Sequence, residues 1–345
     1  MFVLENSIRS SIKALKPYSS ARDEFHGVAE VYLDANENPF PNGKNRYPDP
    51  LQMALRTAFA SVKNVDPSNV VSGNGSDEII DLLMRVFCNP GIDNIITLPP
   101  TYGMYSVSAA VNGVKVKEVA LTDDFQPDVQ AILKAADEHT KLLFICSPNN
   151  PTANTIDGNI IVELLKSFKG LVIVDEAYID FCPEKSVIGL LSKYTNLFVM
   201  QTLSKAWGLA GVRIGLGIGH PDLIKVLDKV KPPYNISVLN AEAALVALSN
   251  STLMYQQVAV LINQRNRLAD QLSVYSFVEK IYPSDANFLL VKVTNANLIY
   301  QKLINARIVV RNRSTVLLCD ECLRITVGTP DENNKLLLAL NTIEL

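Results

Sequence analysis

A lysine that follows an apolar strand and sits among small residues is a candidate nucleophile. Lys205 has that setting in Gln201-Thr202-Leu203-Ser204-Lys205-Ala206-Trp207-Gly208-Leu209-Ala210-Gly211-Val212-Arg213-Ile214-Gly215. Its amine would attack a carbonyl carbon where a partly desolvated pocket and neighbouring cations disfavour the ammonium form. Arg213 supplies one such cation nearby in the chain. By default a lysine at a strand end is a solvated charge, so the surrounding segments have to carry the reading. The first is Leu171-Val172-Ile173-Val174-Asp175-Glu176-Ala177-Tyr178, an unbroken apolar strand that ends directly in a carboxylate. Open α/β sheets bind ligands at that edge, and an acid there needs a partner. Taken alone, Asp175 would read as an N-cap.

Two more segments bring polar groups to strand ends. Ser72-Gly73-Asn74-Gly75-Ser76-Asp77-Glu78 opens a helix, and its glycine-rich turn places the backbone N–H groups of Ser76 and Asp77 at the helix N-terminus, a ready anion site. Cys146-Ser147-Pro148-Asn149-Asn150-Pro151-Thr152 closes another strand. There the Asn150 amide can donate to an oxyanion and stabilise its charged form. Either segment alone would pass for an ordinary turn.

Placing these ends together requires a sheet, and the chain is built to form one. From about Val70 to Gly219 short apolar runs alternate with amphipathic ones, the pattern of a mostly parallel sheet covered on both faces by helices. Strands are expected at Ile95–Leu98, Lys115–Val119, Leu142–Cys146, Leu171–Val174, Leu197–Gln201 and Ile214–Ile218, with helices including Asp77–Cys88, Asp128–Ala136 and Gly158–Phe168. From Ser237 to about Tyr275, two long helices broken near Ser249–Ser251 bridge to a smaller α+β part. That part has expected strands Phe288–Val293, Ile308–Arg311 and Leu323–Val327 and helices Ala296–Asn305 and Glu332–Asn341. The division expected is an N-terminal arm (1–30), a large domain (31–250) and a small C-terminal domain (251–345).

Composition narrows the function class. A chain of 345 residues, 48% hydrophobic, can bury a large core. The formal charge of −3, from 35 acidic and 32 basic side chains, gives no basic field for nucleic acid or anionic membrane, which favours small-molecule partners. No uncharged apolar run reaches about 18 residues, and Met1 to Ser20 lacks the layout of a signal peptide; a cytoplasmic location is expected. Five cysteines, an odd number widely spread, point to reduced thiols. Cys319 and Cys322 form one C-x-x-C without a second pair or histidine nearby, so no metal is expected and both read as ordinary thiols. His26, His139 and His220 are too few for histidine-based chemistry, and His220, just before Pro221, reads as a helix cap.

The four segments, in this order and spacing, resemble the fold-type I pyridoxal 5'-phosphate (PLP) dependent aminotransferases over the whole chain. The resemblance implies that fold: a large domain with a mostly parallel seven-stranded sheet between helices, plus a smaller α+β domain. It implies Lys205 as the Schiff-base lysine and Asp175 as partner of the pyridine nitrogen, keeping it protonated so that the ring can absorb electrons from the substrate Cα. Asn150 and Tyr178 would hold the cofactor's phenolate oxygen. Gly75, Ser76, Asp77, Thr202, Ser204 and Arg213 would gather at the phosphate, and Tyr102 would stack on the ring. One departure is Ala153, where the family usually has glycine; it bears on the local turn rather than the chemistry.

A narrower similarity, to the histidinol-phosphate aminotransferase family, rests on Leu33-Asp34-Ala35-Asn36-Glu37-Asn38-Pro39, Arg46-Tyr47-Pro48-Asp49-Pro50, Val309-Val310-Arg311 and Leu323-Arg324-Ile325-Thr326-Val327-Gly328-Thr329. It implies a homodimer with shared sites, in which Tyr47 reaches the neighbouring subunit's cofactor phosphate. It also implies substrate contacts from Tyr18, Asn36, Arg311 and Arg324. A guanidinium fork accepts carboxylate or phosphate, as an enzyme that binds glutamate and a phosphorylated amine in turn requires. The implied reaction converts L-histidinol phosphate and 2-oxoglutarate to imidazole-acetol phosphate and L-glutamate, in histidine biosynthesis. Related threonine-phosphate decarboxylases and aromatic amino acid aminotransferases are the alternatives. A non-catalytic PLP-fold binding module is the remote one, since no basic DNA-binding segment accompanies the fold.

Overall fold

Strands buried on both faces need apolar side chains in both directions, and the central runs supply them. The computed structural model describes residues 2–17 and 30–343. Its larger sheet contains β1 (Val70–Asn74), β2 (Asn94–Thr97), β3 (Lys115–Glu118), β4 (Thr140–Cys146), β5 (Leu171–Asp175), β6 (Leu197–Thr202) and β7 (Ile214–Ile218), in the order β1-β7-β6-β5-β4-β2-β3. Only β7 runs antiparallel to its neighbours. The two-residue strand period divides each buried strand between two cores. On β5, Val172 and Val174 enter one while Leu171 and Ile173 enter the other.

The short helices α1 (Leu4–Ser7) and α2 (Ser10–Ala14) precede α3 (Met53–Lys63), α4 (Ser76–Phe87), α5 (Met104–Val111), α6 (Val129–Ala135), α7 (Gly158–Ser167) and α8 (Pro221–Val230). The N-terminal segment is anchored on its own chain: Ile8 is buried in the core beneath α4, and the Arg9 N–H donates to Val86 O at 3.0 Å. His220 caps α8 by accepting from the Asp222 N–H. Next come α9 (Val238–Ser249) and α10 (Ser251–Leu272), broken where expected. No single described helix is long and apolar enough to cross a membrane; α9 and α10 reach that measure only as a pair bent by 76°. A second, antiparallel sheet follows, ordered β10-β11-β9-β8, from β8 (Val278–Ile281), β9 (Phe288–Val293), β10 (Arg311–Asn312) and β11 (Cys322–Thr326). Helices α11 (Ala296–Asn305) and α12 (Pro330–Leu340) pack on it, α12 opened by a Thr329–Glu332 capping box.

The differences from the expected elements have local causes. The strands β1 and β8 and the helices α3 and α5 stand where the sequence pattern predicts none. β1 carries Gly73 and Asn74, weak strand formers, and exists by pairing with β7. The expected strand Ile308–Arg311 starts only at Arg311, because the Ile308 N–H closes the turn after α11 on Leu303 O at 2.9 Å, with Arg307 at φ 60°.

Candidate active site

The carboxyl ends of β1, β4, β5 and β6 open on a cleft of about 710 Å³ whose far wall comes from the second sheet. Ser76, Asp77, Tyr102, Asn150, Asp175, Tyr178, Thr202, Ser204, Lys205, Arg213, Arg311 and Arg324 all line it. Register explains part of the convergence: Cys146 pairs with Asp175, and Thr202 with Gly215, which itself faces Gly73 on β1.

At one end the glycine turn is held by close approach. Gly75 has φ 77°, its N–H donates to Arg213 O at 2.8 Å, and a Cβ there would lie 2.4 Å from Arg213 Nη2. Gly215 supports the turn from behind, since a Cβ on it would lie 2.3 Å from the Ser76 nitrogen. Arg213 stands in the left-handed region, φ 58°, with Nη2 3.5 Å from Asp77 Oδ2. The Tyr102 hydroxyl donates to Asp77 Oδ1 at 3.1 Å. The Thr202 hydroxyl accepts from the Ser204 N–H at 3.1 Å and lies 3.0 Å from Ser204 Oγ. Backbone N–H groups, hydroxyls and a guanidinium thus meet at the N-terminus of α4, suited to a phosphate.

At the floor Asp175 is almost fully buried. Its Oδ2 accepts from the Tyr105 hydroxyl at 2.6 Å and its Oδ1 from the Ala177 N–H at 3.1 Å. Burial pushes its pKa up to about 6, against the lowering effect of those two bonds. Tyr105 is itself locked, stacked on Phe144 at 4.7 Å between centroids and edge-on to Tyr102.

Lys205 opens into the cleft solvent, yet partial desolvation, then the cationic Arg324 and Arg213, hold its pKa below the usual lysine value. Its Nζ lies 5.5 Å from the centroid of the Tyr178 ring. Tyr178 is buried edge-on against Phe288, and burial pushes its hydroxyl pKa up. The Arg324 Nη1 donates to Asn150 Oδ1, which orients the amide and leaves its nitrogen as the free donor end. These groups fit PLP: a phosphate cup that a Cβ at Gly75 would crowd, a buried carboxylate for a ring N–H, an amide and a phenol for an oxyanion, and an amine for an aldehyde.

A family model described as aminotransferase class I and II matches residues 25–340. A histidinol-phosphate aminotransferase of Parabacteroides distasonis is 51% identical over 342 residues, 99% of each chain. The chain belongs to the class I and II aminotransferase family. The solved histidinol-phosphate aminotransferase of Clostridium acetobutylicum superposes with a TM-score of 0.78 at 26% identity, over 86% of this chain and 89% of that one. The Sinorhizobium meliloti enzyme, solved in complex with pyridoxal-5'-phosphate, gives a TM-score of 0.78 at 25% identity, over 86% of this chain and 82% of the other. The fold is that of the fold-type I PLP aminotransferases.

Not every residue singled out from the sequence of this aminotransferase lies in the cleft. Tyr47 and Asn36 border a second cleft of about 470 Å³, with Glu37, Lys44 and Tyr234. There the Tyr47 ring is half exposed, stacked on Tyr234 at 4.5 Å, and its N–H donates to Glu37 Oε1 at 2.6 Å. Tyr18 lies outside the described residues. Cys319 and Cys322 are buried free thiols, and among the described residues no group of three or more His, Cys, Asp or Glu is placed for a metal.

Three aminotransferase residues escape the sequence reading. Tyr105 lies in the first turn of α5, three residues after Tyr102, which precedes that helix. Gly215 heads a Gly-x-Gly in β7, a sign of close backbone approach. Arg313 stands two residues beyond Arg311, the spacing that shares a strand face.

Proposed function

We propose that this aminotransferase holds PLP on Lys205 and moves an amino group from L-histidinol phosphate to 2-oxoglutarate, giving imidazole-acetol phosphate and L-glutamate. The observation that carries the reading is the pairing, across one cleft, of an amine whose charge is disfavoured with a buried carboxylate. Arginines on the opposite wall suit anionic substrates. The naming of relatives about half identical over their whole length as histidinol-phosphate aminotransferases supports the amine substrate.

When bound, PLP supplies an electron sink for the pair freed at the substrate Cα. Asp175, fixed by Tyr105 and Ala177, would hold a proton on the ring nitrogen. Asn150 and Tyr178 would donate to the phenolate oxygen, the former oriented by Arg324. The N-terminus of α4, Thr202, Ser204 and Arg213 would anchor the phosphate, and Tyr102 would stack on the ring. Lys205 would hold the aldehyde carbon, and its amine, its charge disfavoured by partial desolvation and by Arg324 and Arg213, would serve as the base that moves the proton between the substrate Cα and that carbon. Arg324 and Arg311 receive the substrate anions.

The arrangement of Tyr47 and Asn36 fits a homodimer in which each chain completes the other's cleft. Tyr18 would then join the substrate contacts, and the division into an arm (1–30), a large domain (31–250) and a small domain (251–345) is retained. Five free cysteines suit a reducing, cytoplasmic setting. The test is to incubate the PLP-loaded protein with 2-oxoglutarate and each candidate amine. Glutamate formed fastest with histidinol phosphate supports the proposal. Carbon dioxide released from threonine phosphate, or faster turnover of aromatic amino acids, would replace it.

A further inference from the structure

Strand β10 is two residues long, yet it and the residue after it bring two arginines to the cleft. Arg311 and Arg313 flank Asn312, and the two-residue period of extended chain puts their side chains on one face. Both line the cleft. Asn312 turns elsewhere, its Nδ2 donating to Asn297 Oδ1 at 2.8 Å. The Arg313 N–H prolongs the ladder by donating to Cys322 O at 2.8 Å, while Arg311 is paired in register with Arg324 on β11. Three guanidiniums therefore share one wall, and among the described residues none of them has a carboxylate within ion-pair distance.

Their other commitments differ. Arg324 is bonded to Asn150 and lies over the Phe288 ring, 5.4 Å from its centroid. Arg313 has no such partner: its Nε is buried and makes no hydrogen bond. Desolvation and the neighbouring Arg324 and Arg311 press its pKa below the ordinary arginine value. A buried donor beside like charges is an arrangement that a bound anion would complete. The cofactor phosphate is not that anion, because its cup lies at the N-terminus of α4 with Arg213. A single carboxylate would satisfy one fork, whereas neighbouring forks suit a group with three oxygens and close to two charges.

We propose that Arg313, acting beside Arg311, receives the phosphate monoester of the amine substrate and sets the preference for phosphorylated over unphosphorylated amines. This rests on the reading that the enzyme takes a phosphorylated amine. Arg313 is a specificity residue under it, and glutamate, which brings carboxylates only, makes little use of it.

The test follows single-turnover half-reactions of the PLP-loaded protein with L-histidinol phosphate, unphosphorylated L-histidinol and L-glutamate, in wild type, Arg313→Gln and Arg313→Lys. Arg313→Gln is expected to weaken apparent binding of histidinol phosphate by at least about 30-fold, the lower end of the scale of losing one partner of a desolvated charge pair. Histidinol and glutamate should change less than about threefold on the same reasoning. Arg313→Lys should recover part of the loss, as a point charge without the fork. Equal losses for all three ligands, or no loss for histidinol phosphate, would overturn the proposal; if the glutamine variant fails to fold, the same comparison in the lysine variant decides. Absence of any phosphate preference in the wild type would instead bring down the functional reading on which the proposal rests.

Discussion

Lys205 and Asp175 are each held in the less usual direction by the same cleft, and each yields a prediction. The Lys205 side chain makes no hydrogen bond among the described residues, so Lys205→Ala should fold normally. It should lose borohydride-fixable attachment of PLP and at least about a thousandfold in turnover. Mass spectrometry of the reduced protein checks this, and an adduct on another lysine would contradict it. Asp175 has its folded pKa raised to about 6 from an ordinary 3.8. The unfolded chain therefore releases its proton first as pH rises, and stability is lost between about pH 4 and pH 6, by roughly 1–3 kcal/mol. Without cofactor, Asp175→Asn should melt higher than wild type at pH 8 but not at pH 4. With cofactor it should lose several orders of magnitude in rate, because an amide cannot hold the ring proton. Equal melting of variant and wild type at pH 8 would show that Asp175 is not strained by burial. Lys205, Asp175 and Asn150 were legible because each ends an apolar strand or an Asn-Pro turn. Tyr105 was not, since its hydroxyl acquires meaning only when α5 is laid beside β5.

At the scale of elements, the large sheet was legible because its central strands are apolar runs divided by turns. β1 was hidden by Gly73 and Asn74, whose conformation depends on partners distant in sequence. The Ala153 turn tests how far local rules reach. Ala153 is fully buried with φ 69°, its N–H donating to Asn149 O and its carbonyl accepting from the Asp285 N–H, both at 2.8 Å. A left-handed alanine costs about 1 kcal/mol, similar to the value of its buried methyl. Ala153→Gly should therefore change stability by less than about 1 kcal/mol, whereas Ala153→Val should cost well over about 1 kcal/mol, since a β-branched residue tolerates positive φ poorly. Chemical denaturation of both variants decides it; equal costs would mean that packing, not backbone, rules the turn.

For the whole molecule, the order of motifs along the chain carried the reading of the fold, but the positions of Asn36 and Tyr47 could not be read from one chain. The proposed homodimer with shared sites makes a prediction that one chain alone cannot satisfy. If Tyr47→Ala and Lys205→Ala are each nearly inactive, mixing equal amounts and allowing subunits to exchange should restore about a quarter of wild-type activity. Half the dimers are then hybrids, each with one intact cleft. No recovery on exchange would place Tyr47 outside the neighbour's site. The most direct measurement of the central claim mixes PLP-loaded protein with L-histidinol phosphate in a single turnover, without any 2-oxo acid. The account predicts one imidazole-acetol phosphate per Lys205, followed by one glutamate when 2-oxoglutarate is added, and neither from Lys205→Ala. Product in excess of the sites before the acceptor is added, or an undiminished yield from Lys205→Ala, would contradict it.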